Sequence, residues 1–403
     1  MGAYDFVVGI LVGIVLACVS YVLQTSQVSA IRGTLSGKVA SSTVRRHPIQ
    51  HRFLEDVGQQ IYVIKLAGYL FFGTIVGVEN RIRTLLNDTV HGQPIRFLVL
   101  DLARVHRVDF SAAEAFSRIT RVLNGKNVEL IMCGITVDSE VGRSLSNVGF
   151  FNADGVQLFE DLNSALEYCE NELLKAFYLQ SDALAQKNGG DSEHLGQYRR
   201  LGHSPSNSRP VGTPTVDVRK HASSSFSQET MFSSPRRFQL REVANATLQD
   251  ENVVSPTKWQ QHKQPLSLIL QTFSNLSIKD EDFWSRMAPF FERQEYSAGT
   301  VLYHRGDRSD GFYLLEVGIL KAEYVLPQGQ FSELIVAGTT CGELPFFSDT
   351  NRTATTTAER HCVAWILNHE KWEDLQKNQP DIAQELLKIS LKLTSERMDA
   401  VTK

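Results

Sequence analysis

The sequence predicts a multidomain chain: one transmembrane helix, an α/β domain, a disordered polar linker, and a β-roll with flanking helices. Three observations predict it. Phe6–Leu23 is an apolar run of eighteen residues without a charge. Two later stretches carry the periodicities of ordered structure, one alternating strands with helices, the other setting short aromatic and β-branched segments between glycines. The tract between them is rich in Ser, Gln, Asn, Pro and Gly and poor in apolar residues. The boundaries that follow are 1–30, 50–180, 183–262 and 264–397.

Composition narrows the function classes. The 403 residues are 42% hydrophobic and 21% charged with a formal net charge of -4, which gives no electrostatic case for nucleic acid as a partner. The five cysteines (Cys18, Cys133, Cys169, Cys341 and Cys362) are widely spaced with no CxxC. They read as buried thiols of a reducing compartment, not as a disulfide framework or a metal site. No glycine-rich phosphate loop, GxSxG elbow, nucleophile–base pair or metal-ligand cluster stands out, so no enzyme activity is expected.

At 1.5 Å per residue the run Phe6–Leu23 would extend roughly 27 Å, close to the thickness of a hydrocarbon core. Gly9, Gly13, Ala17 and Ser20 form a small-residue stripe on which another membrane helix could pack. Arg32, Lys38, Arg45, Arg46 and Arg52 follow it, with no acidic residue before Glu55. The positive-inside rule then puts residues 32–403 in the cytoplasm. The alternatives are a cleaved signal peptide and a buried soluble helix; the missing basic leader and the length of the run favour the span. Plasma and vacuolar membranes fit equally.

In 50–180, Ile61–Phe72 reads as strand broken by Gly68, 75–90 as helix, Arg96–Leu102 as strand, Ser111–Leu123 as helix, Val128–Cys133 as strand, Ser139–Asn147 as helix and Asp161–Leu179 as a last helix. Such alternation means a mixed or parallel sheet. Asp109 or Ser111 can cap the helix after the second strand, with Glu114 completing a capping box. The functional alternative makes Ser111 a phosphorylation or anion-sensing site at a helix N-terminus.

The pieces Leu66-Ala67-Gly68-Tyr69-Leu70-Phe71-Phe72-Gly73, Leu98-Val99-Leu100-Asp101-Leu102, Val108-Asp109-Phe110-Ser111-Ala112 and Gly149-Phe150 resemble a STAS domain, in the form seen in SulP anion transporters. The opening segment is similar to the end of a SulP membrane domain. This resemblance implies a cytoplasmic domain directly after the last membrane helix, and other transmembrane helices or transporter subunits as partners. A homodimer is a further expected partner. It also places Ser111 on the serine phosphorylated in bacterial relatives, although the glycine of their Asp-Ser-Ser-Gly pattern is here Ala112.

Within 183–262, Ser204, Thr213, Ser234 and Ser255 each precede a proline, and Ser223 follows Arg219-Lys220. Protein kinases are the expected partners of this tract; ordinary turn composition accounts for any one of the pairs as well.

In 264–397, helical segments around 265–291 precede the short strands, and Trp372–Met398 returns to helical spacing with a break at Pro380. Cys341-Gly342-Glu343-Leu344-Pro345 followed by Arg352-Thr353 could form a phosphate cradle, with Arg352 as a bidentate fork. The pieces Tyr296–Leu302, Arg305-Gly306-Asp307, Phe312–Leu315, Gly318, Gly342-Glu343-Leu344 and Arg352–Thr355 resemble a cyclic nucleotide-binding domain. The resemblance assigns the ribose hydroxyl to Glu343, the cyclic phosphate to Arg352, and cGMP acceptance to Thr353, with Gly342 and Leu344 beside them. It names cAMP or cGMP as ligand and no resident cofactor. Pro345 departs from the family's alanine and lacks the N–H that meets the phosphate, and Phe346 and Phe347 would crowd the pocket. A degenerate, purely structural β-roll is therefore the competing reading. The whole chain resembles the cytoplasmic half of a fungal-type SulP transporter, either as a fragment of one or as a membrane-tethered regulator. A signalling adaptor that senses a cyclic nucleotide is the alternative.

Overall fold

A computed structural model describes residues 2–26, 29–46, 48–87, 95–152, 156–187, 235–249, 262–273, 276–326 and 329–402. Through residue 187 the elements run α1 (Gly2–Ser26), β1 (Ile31–Ser36), α2 (Pro48–Val57), β2 (Ile61–Leu70), α3 (Phe72–Asn87), β3 (Phe97–Val108), α4 (Phe110–Gly125), β4 (Glu129–Cys133), α5 (Glu140–Asn147), β5 (Val156–Phe159) and α6 (Leu162–Lys187). After them come α7 (Pro235–Gln249), α8 (Leu266–Phe273), α9 (Glu281–Ser285), β6 (Glu292–Tyr296), β7 (Val301–Tyr303), β8 (Gly311–Val317), β9 (Ile319–Leu326), β10 (Gly329–Val336), β11 (Thr340–Cys341), α10 (Glu343–Phe347), β12 (Thr355–Ala358), β13 (Cys362–Asn368), α11 (His369–Asn378) and α12 (Pro380–Thr402). They group into two compact units.

The first unit holds Met1–Ala40 and Gly58–Leu166. Its sheet has the order β1-β2-β3-β4-β5. Strands β2 to β5 are parallel and β1 is antiparallel to β2. The expected alternation is thus realised, with two strands, β1 and β5, that the sequence did not announce. Phe97–Leu100 is buried without alternation, as a strand covered on both faces requires. Helix α4 buries Ala112, Ala115, Phe116, Ile119 and Leu123 at helical spacing, so one stripe meets the sheet. Gly134 takes φ of +80° where a side chain would collide with the Ala103 backbone, so only glycine closes that strand end.

Two expectations change here. The cap of α4 is Asp109, whose carboxylate accepts from Ala112 N at 2.7 Å; because the helix opens at Phe110, Ser111 already lies inside the first turn, exposed. Helix α1 does cover the apolar run, and every described side chain from Phe6 to Tyr21 is exposed. Among the described residues, however, no helix is long and apolar enough to cross a membrane. The expected span over Phe6–Leu23 is therefore not shown by the described residues.

The second unit holds Ser41–Val57, the part of α6 from Glu167 onward, and Arg237–Lys403. It is a roll of two four-stranded antiparallel sheets, β10-β9-β12-β7 and β11-β8-β13-β6. Tyr313, Leu315, Leu320, Ala364 and Ile366 fill its interior. A second apolar cluster joins Trp284, Phe273, Phe312, Trp372, Leu375 and Ile382, where the flanking helices lie on the roll. Pro380 opens α12, a position where its missing N–H is not needed. In this unit α2 also packs on α6, through Phe53 and Phe177, with ring centroids 5.1 Å apart.

The linker expected over 183–262 falls mostly outside the described residues, as do Ser204, Thr213, Ser223, Ser234 and Ser255. Its described part contains a helix, α7, which buries Leu240 and Ala244. Their four-residue spacing puts both on one helix face.

Candidate functional site

Gly342 and Arg352 meet on the β-roll, with Glu343 next to Gly342 in sequence. Gly342 sits between β11 and α10 with φ of 77°. A side chain there would strike the Arg352 guanidinium. Glycine is therefore demanded twice, by the left-handed backbone and by the close approach.

Arg352 is held by its surroundings on several sides. Nη2 donates to the Asp310 carboxylate and to Gly311 O, the latter at 2.7 Å, and Nη1 donates to Gly342 O at 3.2 Å. The guanidinium stacks 4.0 Å from the Tyr303 centroid. Its side chain has no exposed surface, although that of Asp310 is half exposed. Nε is buried and has no hydrogen-bond partner among the described residues. The fork expected to meet a phosphate is thus engaged within the roll on its two terminal nitrogens.

Burial, then Cys341, pushes the Tyr303 hydroxyl well above the ordinary tyrosine range; burial, then Asp310, does the same to Tyr313. Tyr296 is pushed up to about 12 by burial and then by Asp310. All three rings are neutral at physiological pH.

Glu343 is fully buried, with Oε1 3.7 Å from Nη1 of Arg45. Arg45 is the residue sequence reasoning missed at this site. It also makes a two-point contact with Glu333 (2.9 and 2.8 Å) and donates to Thr340 O at 2.7 Å. Burial lowers its pKa, but Glu333, joined by Cys341 and Tyr324, holds it above the ordinary value.

Leu344 and Thr353 are exposed. Pro345 is buried as the third residue of α10. Phe346 and Phe347, expected to crowd the pocket, make ring contacts with the helical core. Phe346 packs 4.8 Å from the His369 ring and 6.1 Å from Trp372, and Phe347 lies 5.1 Å from Trp372 and 5.5 Å from Phe312. They anchor α10 to the helical core.

Two family models match: the STAS domain over residues 54–165 and the cyclic nucleotide-binding domain over residues 293–379. The chain is 32% identical over 406 residues to the vacuolar basic amino acid transporter VSB1 of Saccharomyces cerevisiae, covering 94% of this chain and 38% of that one. It is 27% identical over 158 residues to the putative sulfate transporter YvdB of Bacillus subtilis, covering 39% of this chain and 26% of that one. A crystal structure of a cyclic nucleotide-binding domain from Methylobacillus flagellatus is similar at 18% identity and a TM-score of 0.31, over 33% of this chain and 78% of that one. The chain spans well under half the length of the two transporters it matches. It carries a STAS domain followed by a cyclic nucleotide-binding domain, and its similarity to the vacuolar transporter runs along almost its whole length.

Proposed function

We propose that this chain is the non-catalytic, cytoplasmic regulatory region of a SulP-type membrane transporter, and that transport needs membrane helices beyond those it contributes. The carrying observation is the similarity to a vacuolar transporter along 94% of the chain, through both domains. The exposed aliphatic side chains of α1 support a place against lipid or neighbouring membrane helices, because leaving that much apolar surface in water is unfavourable. Other transporter subunits, a second copy of the chain, and kinases acting on 183–262 are its proposed partners. Basic amino acids are the favoured solute class, since the relative named for them matches far more of the chain than the one named for sulfate.

Within this region the β-roll is the sensing element and a cyclic nucleotide its ligand class, on the strength of the match over 293–379 and of Gly342, Glu343 and Arg352 lying together. A free-standing signalling adaptor would use the same site. Uptake of labelled arginine and of sulfate into vacuolar vesicles, with and without residues 264–397, tests the reading. A changed rate for either solute is expected. Unchanged uptake of both, or recovery of the chain entirely in the soluble fraction, would overturn it.

A further inference from the structure

The segment Ser42–Arg46 lies along β10, an edge strand of the roll. Arg45 N donates to Leu334 O at 2.7 Å, Val336 N donates to Arg45 O at 3.4 Å, and Thr43 Oγ1 donates to Ser332 O at 3.0 Å. These contacts make Arg45 a parallel bridge partner of Ile335. The segment is fastened beside that bridge as well. Arg46 pairs with Glu170 of α6 at 3.0 Å, and Ser42 donates to the same carboxylate through its backbone N at 2.6 Å and its hydroxyl at 2.5 Å. From this strand Arg45 reaches Glu333, Thr340 O and Glu343.

We propose that Ser42–Arg46 is an intramolecular cover of the β-roll pocket, and that its docking and the binding of a cyclic nucleotide exclude one another. The inference rests on reading the roll as a cyclic-nucleotide site. A carboxylate with no exposed surface cannot accept from a ligand's hydroxyl until a neighbour moves. The groups around Gly342 and Arg352 belong to the roll's own strands and turns, whereas Arg45 arrives from a segment outside them and is held to β10 by a short bridge. Arg45 is therefore the group that can leave without unfolding the roll. The buried, unpartnered Nε of Arg352 is a donor that an entering phosphate could satisfy. Nucleotide entry would then release a segment that lies in sequence between β1 and α2, giving the roll a mechanical output.

The test uses the full chain as wild type, Arg45→Ala and Glu333→Gln, with cAMP and cGMP titrated calorimetrically and amide exchange followed at 42–46. If the cover keeps the competent state rare, Arg45→Ala should bind at least about ten-fold more tightly than wild type. Glu333→Gln, which keeps Arg45, Glu343 and Arg352, should show a smaller gain and carries the test should Arg45→Ala not fold. Saturating nucleotide should speed exchange at 42–46 in the wild type. Equal affinity in all three proteins would overturn the exclusion and leave the nucleotide reading intact. No binding by any of them, with 42–46 exchanging freely in the variants, would overturn both.

Discussion

The guanidinium of Arg352 lies 4.0 Å above the Tyr303 ring while Nη2 donates to the Asp310 carboxylate and Nη1 to Gly342 O. Residues from β7, the turn before β8 and the turn before α10 are therefore tied together by one side chain. The arginine proposed to bind a ligand is here a structural member of the roll. Its two uses make different demands, because stability asks that the terminal nitrogens stay bonded and ligand binding asks that one be offered outward.

Arg352→Ala should consequently destabilise the roll as well as remove a phosphate contact. The buried Gly311 O and the half-buried Gly342 O lose donors, while half-exposed Asp310 recovers water. The expected cost is about 2–3 kcal/mol. All four tryptophans lie beyond residue 258, so urea unfolding followed by tryptophan fluorescence reads this unit. Arg352→Lys should fall between wild type and Arg352→Ala, since it keeps the charge and loses the fork. A loss too small to measure for the alanine variant would show that the internal bonds contribute nothing.

Asp109→Ala should cost about 0.5–2 kcal/mol, the usual range for losing an N-cap. Asp109 also accepts from Phe72 N at 3.2 Å, joining the starts of α3 and α4. Ser111→Ala should stay within about 0.5 kcal/mol, as at other exposed positions. The two variants compared by thermal unfolding decide the matter. A larger effect at Ser111 than at Asp109 would restore Ser111 as the cap.

Alkali should unfold the β-roll. A tyrosine whose folded pKa is raised releases its proton first in the unfolded chain. Its contribution is complete below the unfolded value, about 10, and is lost as pH rises from there through the folded value. Tyr296, raised to about 12, and Tyr303 and Tyr313, also raised, act in the same direction. The urea midpoint should stay level from pH 7 to about 9 and fall steadily from about 10 upward. Tyr303→Phe should flatten the fall; an unaltered slope in that variant would remove Tyr303 from the explanation.

Why some of this was legible in the sequence and some not has a physical pattern. Gly342, Glu343 and Arg352 lie within eleven residues of one another, and a turn, a short helix and a returning strand suffice to bring them together. The alternation from β2 to α5 was legible because the helices bury one stripe at helical spacing while β4 and the start of β3 are short, nearly continuous apolar runs. Arg45 was not, because its partner Glu333 lies 288 residues away and no local pattern marks an arginine that will add to a distant sheet edge. The cap of α4 was ambiguous because Asp109 and Ser111 are both good capping residues. Only the place where β3 stops selects between them. Helix α7 was hidden by the polar composition around it, although Leu240 and Ala244 carry the spacing of a buried face.

Pro345 supplies the last prediction. As the third residue of α10 it occupies a position whose N–H would have no partner within the helix, so the proline costs the fold little and removes one donor from the neighbourhood of Glu343. Pro345→Ala restores that donor. One hydrogen bond to a charged group contributes about 1.5–3 kcal/mol, or roughly ten- to a hundred-fold in affinity. In the wild-type background Arg45 still covers Glu343, so most of that gain should stay hidden. In an Arg45→Ala background it should appear in full, and the double variant should bind cAMP or cGMP more tightly than either single one. A double-mutant cycle by calorimetry on the full chain measures the coupling. Strict additivity would show that Pro345 and Arg45 act on the pocket independently, and no gain from Pro345→Ala in either background would show that the missing N–H is not what limits binding.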